Sequence, residues 1–417
     1  MPCTAPGPGA AGRVRRTSQR RTERRPATAQ GNAIWGDDWQ EVRDLWMLDP
    51  EVAHCNHGSF GAVPAPVMAA QDKLRAFMAT NPMKWWHREL PQLVTAARAE
   101  VARFIGAQPD EVALVNNVSA GVSAIVESLD LEAGDEVLST NHIYGAVGWA
   151  LDRLCARTGA TRVVAEVPVE STNADVADMF AKHCSERTRL VLVDQVTSPT
   201  ARRFPVMEVA SIAHDFNAAV IVDGAHAPGM LPLDVPALGA DFWTGNLHKW
   251  ACTPAGTGAL WVAPEWRPQM RSLIVSWGEQ EPFPGPFDRV GTDDLTAWLA
   301  APKSLELLGG LGWDRIRRHN EALVLWAQAT VADALGVPDG DLRHDPGVSM
   351  AVVRFPPGRA DTREQCQALQ DAMASRGVEM AIGCWNGRGG ARLSAQAYNC
   401  PADYERMALG LRELMAI

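Results

Sequence analysis

Several absences narrow what this chain can be. Its eight cysteines (Cys3, Cys55, Cys155, Cys184, Cys252, Cys366, Cys384 and Cys400) stand singly. There is no C-x-x-C pair and no secretory apolar leader, which argues against a disulfide framework and for reduced thiols in a cytosol. No apolar run reaches the roughly 18–20 residues that a membrane-crossing helix needs. No internal repeat is visible, and no low-complexity segment outside the N-terminal tail. Positive charge is concentrated in that tail: residues 1–36 hold seven arginines against one acid, Glu23, while the whole chain is at −10. The acidic remainder would repel a phosphate backbone, so nucleic acid is not an expected partner. The tail itself reads as a disordered extension or an over-called start, with nucleic-acid binding or a transit sequence as alternatives.

What is present suffices for two cores, because 417 residues exceed the size at which one core stops growing. From Trp35 onward, amphipathic stretches at 120–129, 146–157 and 206–216 alternate with short apolar runs at 112–115, 136–139, 162–166, 190–194, 218–222, 242–245 and 257–262. That alternation predicts an α/β fold whose large domain has a mostly parallel sheet flanked by helices. Such sheets bind ligands at the carboxyl ends of their strands. Residues 282–286 read as a crossing loop and 298–310 as a long helix leading into a smaller α+β domain. The expected divisions are a basic tail over 1–36, an N-terminal segment over 37–90 packing near the small domain and active site, a large domain over 91–310 and a small domain over 311–417.

Asp223 closes one apolar run, and Lys249 follows it 26 residues later. An acid ending a buried strand, then a lysine ending a later one, is the pairing a pyridoxal phosphate (PLP) enzyme needs. Lys249 holds the aldehyde covalently, and Asp223 keeps the pyridine nitrogen protonated. A helix cap or structural ion pair is the alternative for a buried Asp223, whose charge needs a partner. Asn117, Val118 and Ser119 lie between a strand and a helix, where amides and a hydroxyl take a phosphate or simply cap the helix. Tyr144 would stack on the pyridine face or fill the core. His226 is placed for the ring's phenolate oxygen and Thr197 and Ser198 for the same edge, although Ser-Pro also marks a turn. His248 would serve phosphate, ring or structure, while the lysine is the expected acid/base at Cα. Arg392 would fork onto a carboxylate or make a surface ion pair. Trp85, Trp86, Trp277, Phe283, Phe287 and Trp385 suggest a roomy aromatic entrance, with core as the alternative for Trp85 and Trp86.

Taken in order over residues 38–414, six motifs resemble a fold-type I PLP enzyme of aminotransferase class V, in the isopenicillin N epimerase-like branch with its lincosamide-pathway relatives. They are Asn56-His57-Gly58-Ser59-Phe60-Gly61, Arg88-Glu89-Leu90-Pro91, Asp223-Gly224-Ala225-His226-Ala227-Pro228-Gly229, Gly245 with His248-Lys249-Trp250, Gly291-Thr292-Asp293-Asp294 with Trp298-Leu299-Ala300, and Arg392-Leu393-Ser394 with Tyr398-Asn399. The resemblance implies PLP as cofactor, with Lys249 as its covalent anchor, Asp223 on the pyridine nitrogen and Tyr144 stacking. It further implies Asn117, Val118, Ser119 and His248 at the phosphate and Arg392 on the substrate carboxylate, with Thr292 reaching the phosphate from the other subunit of a homodimer. Related enzymes often carry Ser-x-His-Lys where this chain has Asn246-Leu247-His248-Lys249, so Asn246 becomes a candidate phosphate donor. Asn56, Ser59 and Trp86 are candidates on the substrate side, and no metal is expected. No mobile cysteine loop stands out, Cys384 being the nearest candidate, which argues against a cysteine desulfurase.

One PLP scaffold supports several reactions. The first expectation is β-elimination of a C–S bond in a bulky, cysteine-derived amino acid of antibiotic-type natural-product biosynthesis. Decarboxylation coupled to oxidative deamination and epimerisation are the enzymatic alternatives. A catalytically inactive PLP-fold binding protein is the non-enzymatic one. The expected setting is a soluble, cytoplasmic homodimer acting on a small molecule.

Overall fold

The structure, a computed structural model, describes residues 38–416; the basic tail lies outside the described residues. The strands in chain order are β1 (Ala53–His54), β2 (Val112–Val115), β3 (Glu136–Thr140), β4 (Thr161–Ala165), β5 (Thr188–Asp194), β6 (Ala219–Asp223), β7 (Phe242–Asn246), β8 (Gly258–Val262), β9 (Met350–Arg354), β10 (Val378–Glu379), β11 (Ala381–Trp385) and β12 (Arg388–Ser394). The chain divides into two compact units. The smaller comprises residues up to Ser59 together with Gly312 onward, and the larger runs from Phe60 to Leu311. The segment expected over 37–90 is therefore split at Ser59, and residues 60–90 belong to the larger unit.

The larger unit is built on a seven-stranded sheet in the order β2-β8-β7-β6-β5-β3-β4. All neighbours run parallel except β8, which is antiparallel to both β2 and β7. A parallel sheet covered by helices buries both faces, which explains why β2, β3, β6, β7 and β8 are buried at every position. The edge strand β4 exposes or half-exposes every residue but Ala165. Helices Val118–Ser128 and Gly145–Thr158 supply Val122, Ile125 and Leu151 to a core shared with Leu192, Ile221, Phe242 and Leu260. The strand order reverses around β3: β4 lies on its far side and the chain returns over it to β5. A reversal of this kind opens a crevice at the carboxyl ends of the strands.

The smaller unit pairs β1 with β10 and forms a three-stranded antiparallel sheet β11-β12-β9. Helices Trp313–Ala334 and Pro401–Met415 cover it, burying Leu323, Trp326, Phe355, Leu393 and Tyr404 in one core. Among the described residues no helix is long and apolar enough to cross a membrane, and no cysteine is in a disulfide.

Candidate active site

In the larger unit the candidate residues converge on the carboxyl ends of the strands. Asp223, the last residue of β6, is 2% exposed. Its carboxylate accepts the N–H of Ala225 at 2.9 Å, and among the described residues it has no ion-pair partner. Burial raises its carboxyl above the usual range, opposed by that hydrogen bond and by the charge of Lys249. A buried acid so poorly compensated fits a cationic ring nitrogen brought by a ligand.

Lys249 sits on the turn that follows β7, and two close backbone approaches fix that turn. A Cβ on Gly61 would lie 2.4 Å from the carbonyl oxygens of His248 and Lys249, and one on Gly229 would lie 2.5 Å from the carbonyl of Trp250. Only glycine fits at either place, which gives a packing reason for the glycines in the Asn56–Gly61 and Asp223–Gly229 motifs. The lysine Nζ is 3.3 Å from His226 Nε2, while the indole N–H of Trp250 donates to His226 Nδ1 at 3.3 Å. With Nδ1 accepting, the imidazole proton sits on Nε2, and the contact with Nζ is a hydrogen bond when the lysine is the neutral amine. The neighbouring His248 holds the Thr257 carbonyl through Nδ1 at 2.7 Å. Burial lowers its imidazole below the ordinary value, so it is the neutral ring that presents Nε2.

At the amino end of helix Val118–Ser128, the Asn117 side chain caps Ala120 N–H at 2.9 Å. Val118 N–H donates to Asn246 Oδ1 at 2.9 Å. This corrects the expectation for Val118, whose amide is already committed. Ser119, with its N–H and hydroxyl, and the Nδ2 amide of Asn246 are left to meet an anion at a helix N-terminus. Thr197 is also corrected: it is fully buried, and its hydroxyl contacts Thr200 Oγ1 at 2.7 Å and accepts Arg202 N–H at 2.8 Å. It shapes its turn, and Ser198, half-buried, is the residue of that pair nearer the surface. Tyr144 is 48% exposed at the N-cap position of helix Gly145–Thr158, where its side chain makes no capping hydrogen bond, so it is not core. Trp85 is core, edge-on to Phe77 at 5.6 Å, whereas Trp86 is half-buried on the same π-helical turn. The aromatic entrance does not survive for Phe283 and Phe287, which pack against each other at 5.7 Å and onto the sheet's core. Trp277 is exposed, and Trp385 lies in the smaller unit with Arg354 over its ring at 5.7 Å.

Within the smaller unit, Arg392 on β12 donates to Ser59 Oγ at 2.6 Å and to Asn56 Oδ1 at 3.4 Å. The same unit holds a buried polar chain: Asn320 Nδ2 donates to Gln396 Oε1 at 3.1 Å, and Gln396 Nε2 to His57 Nε2 at 3.1 Å. The remaining His57 proton, on Nδ1, then points at Tyr398 Oη, 3.0 Å away. Sequence reading picked out Arg392, Ser59 and Asn56 but not the Asn320–Gln396–His57 chain, because those residues are far apart in sequence and meet only in the fold.

A mostly parallel α/β sheet with a buried acid at the end of β6 and a lysine on the turn after β7 is the arrangement expected of a fold-type I PLP enzyme, and Ser119, Asn246, Asp223 and Lys249 are the candidates for its phosphate, ring and aldehyde. The chain belongs to aminotransferase class V, whose family model matches residues 61–407. It is 32% identical over 400 residues to isopenicillin N epimerase of Streptomyces clavuligerus, covering 90% of this chain and 98% of that protein. To an L-cysteine desulfhydrase of Arabidopsis thaliana it is 25% identical over 407 residues, covering 87% and 88%. A solved complex of the cystine C–S lyase C-DES with its product cysteine persulfide superposes with a TM-score of 0.76 at 19% identity, covering 87% of this chain and 98% of that one; this likeness shows the fold.

Proposed function

We propose that the protein is a cytoplasmic PLP-dependent C–S lyase that eliminates a thiol from a bulky, cysteine-derived amino acid in antibiotic-type natural-product biosynthesis. When bound, PLP supplies an electron sink that weakens the bonds at an amino acid's Cα. Lys249 then removes the Cα proton. The electron pair of that C–H bond forms the Cα–Cβ double bond as the Cβ–S bond breaks, and the sulfur takes a proton and leaves as thiol. The aminoacrylate released hydrolyses to pyruvate and ammonia.

The observation that carries this reading is the contact between Lys249 Nζ and His226 Nε2. It sets a base beside a ring proton whose position Trp250 fixes, and elimination needs both removal and delivery of a proton. Arg392, held by Ser59 and Asn56, is the residue we assign to the substrate carboxylate. A carboxylate pinned there favours loss of the Cα proton over loss of carbon dioxide. Ser119, Asn246 and His248 are assigned to the phosphate, Asp223 to the pyridine nitrogen, Tyr144 to its face, and Trp86 to the substrate side.

Epimerisation is the second reading, favoured by the epimerase relative; it shares the first step and differs in returning the proton to the opposite face. Incubation with S-substituted L-cysteines decides. Pyruvate with equimolar thiol supports elimination. Solvent deuterium at Cα with neither product establishes epimerisation, and carbon dioxide release with oxygen consumption establishes oxidative decarboxylation.

We further assign a homodimer completed by Thr292. In the protomer Thr292 is exposed beside Gly291 at φ 105°, while Val275 and Trp277 are 78% and 89% exposed. Large apolar side chains in the open suit burial by a second copy. Sedimentation showing a fully active monomer would overturn this.

A further inference from the structure

The strand that leads to Lys249 carries a tryptophan that none of the steps above uses. Trp243, the second residue of β7, is fully buried. It pairs with Val222, whereas Asp223 pairs with Thr244 on β7 and with Asp194 on β5. Side chains alternate between the faces of a strand, so the indole lies on the face opposite the Asp223 carboxylate.

From that face the ring reaches under two strand ends. A Cβ on Gly224, the residue after Asp223, would lie 2.4 Å from the indole Nε1 and 2.5 Å from Cε2. One on Gly245, four residues before Lys249, would lie 2.3 Å from Cη2 and 2.7 Å from Cζ2. Neither glycine has a positive φ, so backbone conformation does not require glycine at either position; the indole does. One edge of the ring rests on the Asp223 turn and the other on the end of β7. Its indole N–H donates to Gln195 Oε1 at 3.0 Å, which fixes which edge lies where. Gln195 also donates its backbone N–H to the Asp223 carbonyl at 2.8 Å, and Gly224 N–H donates to the Thr244 carbonyl at 2.8 Å. The Asp223–Gly224 peptide is thus held from β5, from β7 and from beneath by one connected set of contacts. In a close-packed interior such a ring passes any displacement of one strand end on to the other.

We propose that Trp243 is a positioning residue for the cofactor site: bonded to Gln195 and wedged between the Asp223 turn and the end of β7, its indole sets the spacing of Asp223 from Lys249. The proposal rests on the reading above, in which those two residues meet the pyridine nitrogen and the aldehyde at opposite ends of one rigid ring. A ligand held at both ends tolerates little error in that spacing, since a misplacement of about 1 Å can cost about 10²-fold in rate.

The test uses the full-length holoenzyme with Trp243→Phe, Gln195→Met and, as a control, Phe242→Leu. Phe242 is just as buried on the same strand, but it packs on Trp266 at 5.1 Å and faces away from the indole. For each, the PLP dissociation constant is measured and the cofactor–lysine absorption band at about 420 nm is titrated with pH. Trp243→Phe should bind PLP about tenfold more weakly with a displaced midpoint, and Gln195→Met about threefold more weakly in the same direction. Phe242→Leu should melt at a lower temperature yet stay within about twofold of wild type in PLP affinity, because core packing alone is lost. Gly224→Ala should weaken PLP binding by itself and do so less on top of Trp243→Phe, whose smaller ring frees the space the methyl needs. A Trp243→Phe variant no further from wild type in affinity and midpoint than Phe242→Leu would overturn the proposal, as would strictly additive losses in the Gly224→Ala pair. If Trp243→Phe does not fold, wild-type values in Gln195→Met overturn it instead. Absence of the band from the wild-type protein would sink the cofactor reading and this proposal with it, whereas a wild-type band with unaffected variants sinks the proposal alone.

Discussion

Asp223 in the larger unit and Asp403 in the smaller are both acids whose burial raises the carboxyl, yet they are held in opposite ways. Asp403 closes a capping box at the start of helix Pro401–Met415, accepting Cys400 N–H at 3.0 Å and Asn399 Nδ2 at 3.1 Å. Both bonds fall on Oδ2 and hold a helix end. Asp223 receives one backbone N–H, and beside it stands a second acid with no cation of its own. The smaller unit thus satisfies its buried charge internally, whereas the larger unit keeps charge uncompensated where a ligand would compensate it. A fold tolerates that cost at a site of chemistry and removes it elsewhere.

Four changes test this contrast. Lys249→Ala should lose at least about 10³-fold in turnover with the fold intact by circular dichroism, because anchor and base vanish together. Asp223→Ala should lower kcat by about 10²-fold or more at saturating PLP, since the ring nitrogen loses its counter-charge; unchanged kcat would make Asp223 as structural as Asp403. Next in size is a pH effect shared by both units. Burial pulls His142 and His319 from 6.5 to about 4, so the unfolded chain takes up those protons first. Stability should therefore fall as pH drops from about 6.5 to about 4, by up to about 3 kcal/mol per histidine, with no contribution above that window. Thermal melts of His142→Asn that still show the full wild-type decline would contradict the assignment for His142. The smallest effect is expected for Asp403→Ala: about 1–2 kcal/mol of stability lost with the cap, and an unaltered cofactor spectrum.

Much of the larger unit was legible because strands buried on both faces read as continuous apolar runs. The expected run 242–245 became Phe242–Asn246 and 218–222 became Ala219–Asp223. Signals that need partners were not legible. Asp194 ends its strand in the same manner as Asp223, but only the register of β5 against β6 shows that the two stand side by side. Val118 and Thr197 looked available because a sequence does not reveal that Asn246 and Arg202 already engage them. Phe283 and Phe287 were misread since aromatic content is the same at an entrance and in a core. One missed element did carry a local sign: Asn386-Gly387, both at positive φ between the paired Trp385 and Arg388, is the turn of the β11–β12 hairpin.

The account's central claim is that Lys249 takes the Cα proton of a cysteine-derived substrate. An S-substituted L-cysteine deuterated at Cα tests it most directly, with label in solvent, pyruvate and carbon dioxide followed together. The account predicts that label reaches solvent once per pyruvate formed in the wild type, and that neither appears with Lys249→Ala. Carbon dioxide released with the deuterium still on the former Cα would contradict it, because the bond broken would then be the one to the carboxylate.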